Sequence, residues 1–256
     1  MMSLYNDEYY LDCVKDWQDP NPFPVVEKHL DFYVVRDDKL GYGSKSRFID
    51  FLISTSTEVE EWVYGAANKV GWGPISMTHV CNRYGKKAVC FIAERKEPTW
   101  HQQKVLDMGG IIHWVPNGML NVTISKAKKY FLEDPIKRRL LPMGLDHSTV
   151  LGSIIKVARS IDVNPTEIWT VASSGTLTRG LQMAFPDVPV YAVQIGHKMN
   201  DYEKGRATVM VSPYKYDQRV EDEYLPPFES EKYYDAKVWE FVKTHGKPGA
   251  LIWNVA

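Results

Sequence analysis

Two stretches of the sequence carry residue types whose chemistry is complementary. The first, RDDKLGYGSKSRFIDFL, runs from Arg36 to Leu52. It presents Lys45 directly after a Gly41-Tyr42-Gly43-Ser44 elbow, with Arg47 two positions on. A deprotonated lysine amine is a nucleophile toward a carbonyl carbon. The second, IWTVASSGTLTRGLQMA, runs from Ile168 to Ala184. An apolar strand there passes through Ala172-Ser173-Ser174-Gly175-Thr176 straight into a helix that contains Gly180. This order gathers unpaired N–H groups and three hydroxyls at one helix N-terminus, an arrangement that favours an anion. Gly175 lets the backbone approach a phosphate with no side chain between. The stretch fits neither G-x-x-x-x-G-K-[ST] nor G-x-G-x-x-G, which argues against an ATP P-loop and a dinucleotide fingerprint. Taken alone, it is equally an ordinary strand-to-helix turn with a serine N-cap. Lys45 alone is equally a loop lysine opening a basic first helical turn.

The elements around these stretches alternate. EEWVYGA, KAVCFIAE, IIHWVP, EIWTVASSG, VPVYAVQIG and GALIWNVA read as strands. PISMTHVCNRYG, TWHQQKVLDMGG, NVTISKAKKYFLED, STVLGSIIKVARSI, TLTRGLQMAF and YYDAKVWEFVKTHG read as helices. Gly85 suits a helix C′ position, Thr99 opens a helix, and Ser148 or Asp146 caps another. SRFIDFLIST, after the elbow, reads as one amphipathic segment, and residues 1–30 as an irregular arm with one short helical piece. Such alternation predicts βα units on largely parallel sheets. A break falls between Asp134-Pro135 and Pro142-Met143-Gly144, where charges and prolines interrupt the periodicity.

Composition narrows the function classes. The chain has 256 residues, 44% hydrophobic and 25% charged, as a globular protein of one or two domains would. With 31 basic and 32 acidic residues, it has no global basic excess to suit nucleic acid. One local run, Ser125 to Arg139, is basic; it reads first as a solvated helix face and second as a surface for a polyanion. Cys13, Cys81 and Cys90 form no C-x-x-C pair and suit reduced thiols in a cytoplasm. The start lacks a signal-peptide pattern, and no apolar run approaches about 18 residues. The expected location is therefore cytoplasmic, or the host cytoplasm if a phage encodes the chain. The histidines, His79 among them, show no metal-ligand spacing, so no metal site is expected.

A presented lysine and a cradle for one phosphate are the two fixed points of a pyridoxal 5'-phosphate site. On these motifs the chain resembles the fold type II pyridoxal phosphate enzymes, the tryptophan synthase beta-like superfamily. The nearest branch holds aminocyclopropane-carboxylate deaminase and D-cysteine desulfhydrase. Its early R-E-D, glycine-rich turn and N-K-x-R are matched by Arg36-Asp37-Asp38, Gly41-Tyr42-Gly43 and Ser44-Lys45-Ser46-Arg47. Its G-S-G-G-T loop is matched by Ala172 to Thr176, and PMGLDHSTVLGSIIKVARSI resembles the glycine-rich run between them. The likeness spans roughly Phe32 to Gly196.

The resemblance implies a two-domain α/β fold of mostly parallel open sheets flanked by helices. Residues 1–53 and 136–256 would form a large cofactor-binding domain, and 54–135 a small α/β domain inserted in it. Lys45 would hold the cofactor as a Schiff base, and Ser173, Ser174, Gly175 and Thr176 its phosphate. Asn68 and Trp72 fall near the position where the family contacts the cofactor's 3′-oxygen or the substrate. The branch's serine–asparagine pair is not in register there. Asn254, in the last strand, would face the pyridine nitrogen. Arg47 would clamp a substrate carboxylate or, alternatively, pair with Asp50 on a helix surface. Tyr233 would lie on the substrate side or pack at the surface. The implied activity is that of a lyase or deaminase acting at Cα of an amino acid, in a homodimer. A second reading keeps the cofactor and places the amino acid on a larger carrier, such as a modified phage DNA base, with decarboxylation as an outcome. Nucleic acid would then be a partner. A shorter chain than typical members, and so a smaller lid, motivates that reading together with the basic run. A third reading is a non-catalytic binder of a phosphorylated ligand.

Overall fold

The computed structural model describes residues 6–256; the first five residues of the expected arm lie outside the described residues. The chain forms two compact units. One is Lys45–Leu145; the other joins Met1–Ser44 to Asp146–Ala256.

The second of these holds a six-stranded sheet. Its strands are β1 (Val26–His29), β2 (Phe32–Arg36), β7 (Ile168–Ala172), β8 (Val190–Gln194), β9 (Thr208–Val211) and β10 (Leu251–Asn254). They lie in the order β1-β2-β10-β7-β8-β9, and only β1 is antiparallel to its neighbour. β7 and β10 are buried at every residue, as strands covered on both faces must be, which explains their unbroken apolar runs. Trp169 stacks on Tyr191, its cross-strand partner, with ring centroids 4.5 Å apart. Leu251 pairs with Tyr33 on one side and with Ile168 on the other, so β2, β10 and β7 end on the same edge of the sheet. Two helices pack together in this unit, α7 (Ser148–Ala158) and α8 (Thr176–Ala184).

The Lys45–Leu145 unit holds a four-stranded parallel sheet. Its order is β5 (Ile111–Val115), β4 (Lys87–Ala93), β3 (Glu61–Tyr64), β6 (Arg138–Leu140). Around it lie α2 (Lys45–Phe48), α3 (Asp50–Thr55), α4 (Gly73–Arg83), α5 (Trp100–Asp107) and α6 (Leu120–Glu133). Val63, Val89, Phe91, Val115 and Ala127 make its core. Thr99 and Gln102 close a capping box at the start of α5. Among the described residues, no helix is long and apolar enough to cross a membrane.

The structure differs from the sequence reading at several places. The amphipathic segment after the elbow breaks at Ile49 into α2 and α3. The units divide after Ser44 and Leu145 rather than after residues 53 and 135, because α2 and α3 pack on α4 and β6 pairs with β3. β6 lies inside the expected break. α7 is capped by His147, whose Nδ1 accepts from the Thr149 amide at 3.2 Å, and not by Ser148 or Asp146. The expected helix over YYDAKVWEFVKTHG is a 3-10 turn, Asp235–Val238, followed by α10 (Trp239–His245). The arm contains α1 (Asp7–Asp12) and β1, and the C-terminal half adds α9 (Asp201–Lys204) and β9.

Candidate active site

The second motif forms a cradle at the carboxyl end of β7. Ser173 and Ser174 are half-buried, and the N-cap of α8 is Gly175 in the left-handed region, φ 70° and ψ 2°. No side chain caps this helix, so the first-turn N–H groups keep their donor capacity. A Cβ at Gly175 would sit 2.0 Å from the Glu203 carbonyl oxygen, so α9 presses directly on the turn. Glu203 is fixed in a capping box with Asn200, and its carboxylate lies 3.1 Å from His197 Nε2. On another side, a Cβ at Gly196 would lie 3.2 Å from the Tyr216 ring and 3.7 Å from Ser173 Oγ. Thr176 Oγ1 lies 3.4 Å from Arg179 Nη2, which donates to Asp146 Oδ1 at 2.8 Å.

The elbow that leads to Lys45 is anchored on the same sheet edge. Gly41 and Gly43 both have positive φ, 72° and 73°, which glycine adopts without a Cβ penalty. The amide of buried Ser44 donates to Val255 O at 2.8 Å, just beyond the carboxyl end of β10. β10 neighbours β7, whose carboxyl end opens into the cradle. In open α/β sheets, ligands bind outside the carboxyl ends of the strands. The Arg36-Asp37-Asp38 run braces this edge. Arg36 grips Asp38 with Nε at 2.9 Å and Nη2 at 2.7 Å and also pairs with Glu27. Trp253 Nε1 donates to Asp37 at 3.0 Å.

No protein-family model and no curated protein matches the chain. Solved structures do. A structure titled an ACC deaminase homologue superposes with a TM-score of 0.82 at 12% identity, covering 97% of this chain and 94% of that one. Serine racemase from Dictyostelium discoideum gives 0.67 at 10% identity, covering 98% and 97%. Threonine deaminase isoform 2 from Solanum lycopersicum gives 0.70 at 13% identity, covering 98% and 84%. The fold is that of the fold type II pyridoxal phosphate enzymes.

Against the fold type II frame, the expected site residues fall into two groups. Ser173, Ser174, Gly175, Thr176, Asn254 and Tyr233 belong to the six-stranded unit, and Lys45, Arg47, Asn68 and Trp72 to the four-stranded one. Lys45 opens α2 and is half-buried. Arg47 and Asp50 are each 1% exposed, so both are buried rather than on an exposed helix surface. Asp50 takes Arg83 Nη1 at 2.8 Å and the Tyr84 hydroxyl at 2.9 Å. Burial first, and then this bond to Asp50, push the Tyr84 hydroxyl pKa up. Asn68 is half-buried in the turn after β3, where its Oδ1 accepts from the Val70 amide at 2.9 Å. Trp72 is the N-cap residue of α4 and meets His101 edge-on at 5.6 Å. Asn254 is buried; its Nδ2 donates to Asp38 Oδ1 at 2.7 Å and Glu229 O at 2.9 Å, and its Oδ1 accepts from the Ser230 hydroxyl at 2.7 Å. Tyr233 is half-buried, and its amide bonds Glu231 at 3.1 Å. In the basic run, Lys137, Arg138 and Arg139 pair with Glu60, Glu61 and Glu58, the behaviour of a solvated, ion-paired surface.

Sequence reasoning missed Asp146, Arg179, His197, Glu203 and Tyr216, which surround the cradle. Only Arg179 carried a signal: an arginine three positions after the loop threonine, on a helix otherwise entering a core.

Proposed function

We propose that the chain is a pyridoxal phosphate enzyme acting at Cα of an amino acid, as a lyase or deaminase. The carrying observation is the turn at Gly175, a left-handed helix N-cap with no side-chain cap, next to Ser173, Ser174 and Thr176 in the chain. Its donors fit a phosphate monoester: first-turn N–H groups, Ser173, Ser174 and Thr176. Solved structures of the same fold, titled as deaminases, racemases and an ammonia lyase, support the reading.

When bound, pyridoxal phosphate supplies an aldehyde that bonds to amines and a ring that accepts an electron pair from Cα. The Ser173–Thr176 turn holds the phosphate and so sets the orientation of everything attached to it. Lys45 would be the amine that secures the aldehyde carbon, and its amino group would hold or return the proton at Cα. Arg47 offers a guanidinium to the substrate carboxylate, Trp72 and Tyr233 shape the substrate side, and the working form is a homodimer.

The test is absorbance of the purified protein with added pyridoxal phosphate, beside Lys45→Ala. Wild type should show a band near ~420 nm that borohydride fixes onto Lys45, and the variant should not. If wild type shows no such band, the chain is a binder of phosphorylated ligands and not this enzyme.

A further inference from the structure

Arg179 is the most deeply buried cation near the cradle, 1% exposed on the first turns of α8. Its charge is incompletely matched. Nη2 bonds Asp146 Oδ1 at 2.8 Å and approaches Thr176 Oγ1 at 3.4 Å. The guanidinium carbon lies 4.1 Å from the Tyr202 ring centroid, and the Tyr202 hydroxyl donates to Asp146 at 3.3 Å. Nε and Nη1 are buried and hydrogen-bond to nothing among the described residues. Asp146, its carboxylate partner among the described residues, has a side chain one-third exposed, so solvent screens its share of the pair. Leaving two guanidinium donors buried and unmatched is costly unless the charge serves something else.

The geometry supplies a use. Side chains on a helix lean toward its N-terminus, so Arg179 reaches back one turn toward Thr176. A guanidinium donating to Thr176 Oγ1 fixes that hydroxyl as an acceptor on one side. Its own hydrogen is then directed elsewhere, and the cradle is where an acceptor would arrive. The positive charge also adds to the helix dipole at the same end.

We propose that Arg179 is a positioning residue of the anion cradle. It orients the Thr176 hydroxyl and supplies the buried charge that makes the turn prefer a phosphate dianion, with Asp146 setting how much of that charge is felt. The proposal rests on the Ser173–Thr176 turn being a phosphate site.

Binding of inorganic phosphate and of pyridoxal phosphate, by calorimetry and 31P NMR, tests it in wild type, Arg179→Gln, Arg179→Lys and Asp146→Asn. Arg179→Gln should weaken both ligands by about tenfold or more, as loss of a charge-assisted contact does. Arg179→Lys should recover part of the loss, because charge without the fork is kept. Asp146→Asn should tighten phosphate binding, since it unmasks the guanidinium. A merely structural pair predicts the opposite sign for Asp146→Asn, and that result overturns the proposal even if Arg179→Gln fails to fold. A folded Arg179→Gln that binds both ligands as wild type does also overturns it, and leaves the cradle reading intact. Wild type binding neither ligand removes the cradle reading and this proposal together.

Discussion

The α-carbon of Gly175 faces the backbone of Glu203 so closely that any Cβ would lie 2.0 Å from the Glu203 carbonyl oxygen. Two demands meet at this one residue. The chain must take a left-handed turn to leave β7, and α9 must pack against the turn it makes.

Gly175→Ala should therefore fail on both counts. The left-handed conformation costs a side-chain-bearing residue about 1 kcal/mol, and the overlap must push α9 away from α8. Because the obstructing atom is backbone, no rotamer change relieves it. Pyridoxal phosphate affinity should fall by roughly tenfold or more, with a lower Tm. A variant with wild-type affinity would show that α9 does not shape the cradle.

Stability should depend on acid through Glu27. Its carboxyl is held at about 2 instead of 4.5, first by the hydrogen bond from Lys39, then by His29 and Arg36, against the opposing effect of burial. An acid depressed in the folded state adds stability above its unfolded pKa and loses it as pH falls through the folded one. That places the loss between pH 4.5 and about 2. Glu27→Gln should be less stable than wild type at pH 7, with the gap closing across that window. Urea midpoints at pH 7, 5 and 3 measure it; a gap that stays constant would mean that Glu27 does not drive the acid response.

Much of the fold was legible because local rules agreed with the tertiary structure. Gly85 and Gly109 stop α4 and α5 with φ of 64° and 83°, and Thr99 and Gln102 announce α5 by themselves. The apolar run of β7 could only be a strand buried on both faces. What escaped has a physical pattern too. β6 and β9 are short edge strands: β6 is Arg-Arg-Leu and carries no apolar run, and β9 leaves Thr208 and Val211 exposed. His147 caps α7 through a ring nitrogen, a role that cap preferences assign to Ser or Asp. The bracing of the site was hidden for another reason. Asp37 meets Trp253, Asp38 meets Asn254, and Arg179 meets Asp146, all pairs far apart in sequence that only the sheet order and helix packing bring together.

Gly180 sets how closely α8 approaches α7, and its replacement should show the two helices to be one packed unit. A Cβ there would lie 2.4 Å from Ile154 Cγ2 and 2.8 Å from its Cβ. Ile154 is 1% exposed, so it has little room to yield. Gly180→Ala should cost about 2 kcal/mol by overpacking, despite the better helix propensity of alanine. Ile154→Ala should cost about 3 kcal/mol by leaving a cavity. The double variant should cost less than the two added together, by about 1 kcal/mol or more, because the new methyl fills space that Cγ2 vacates. Urea unfolding of the four proteins of this cycle measures the coupling. Strict additivity would mean that the backbone moves apart instead, and then the cradle at the start of α8 should move with it. Phosphate affinity would separate the two outcomes. It should recover in the double variant if the helices stay in place, and remain weakened in Gly180→Ala and in the double variant alike if α8 has shifted.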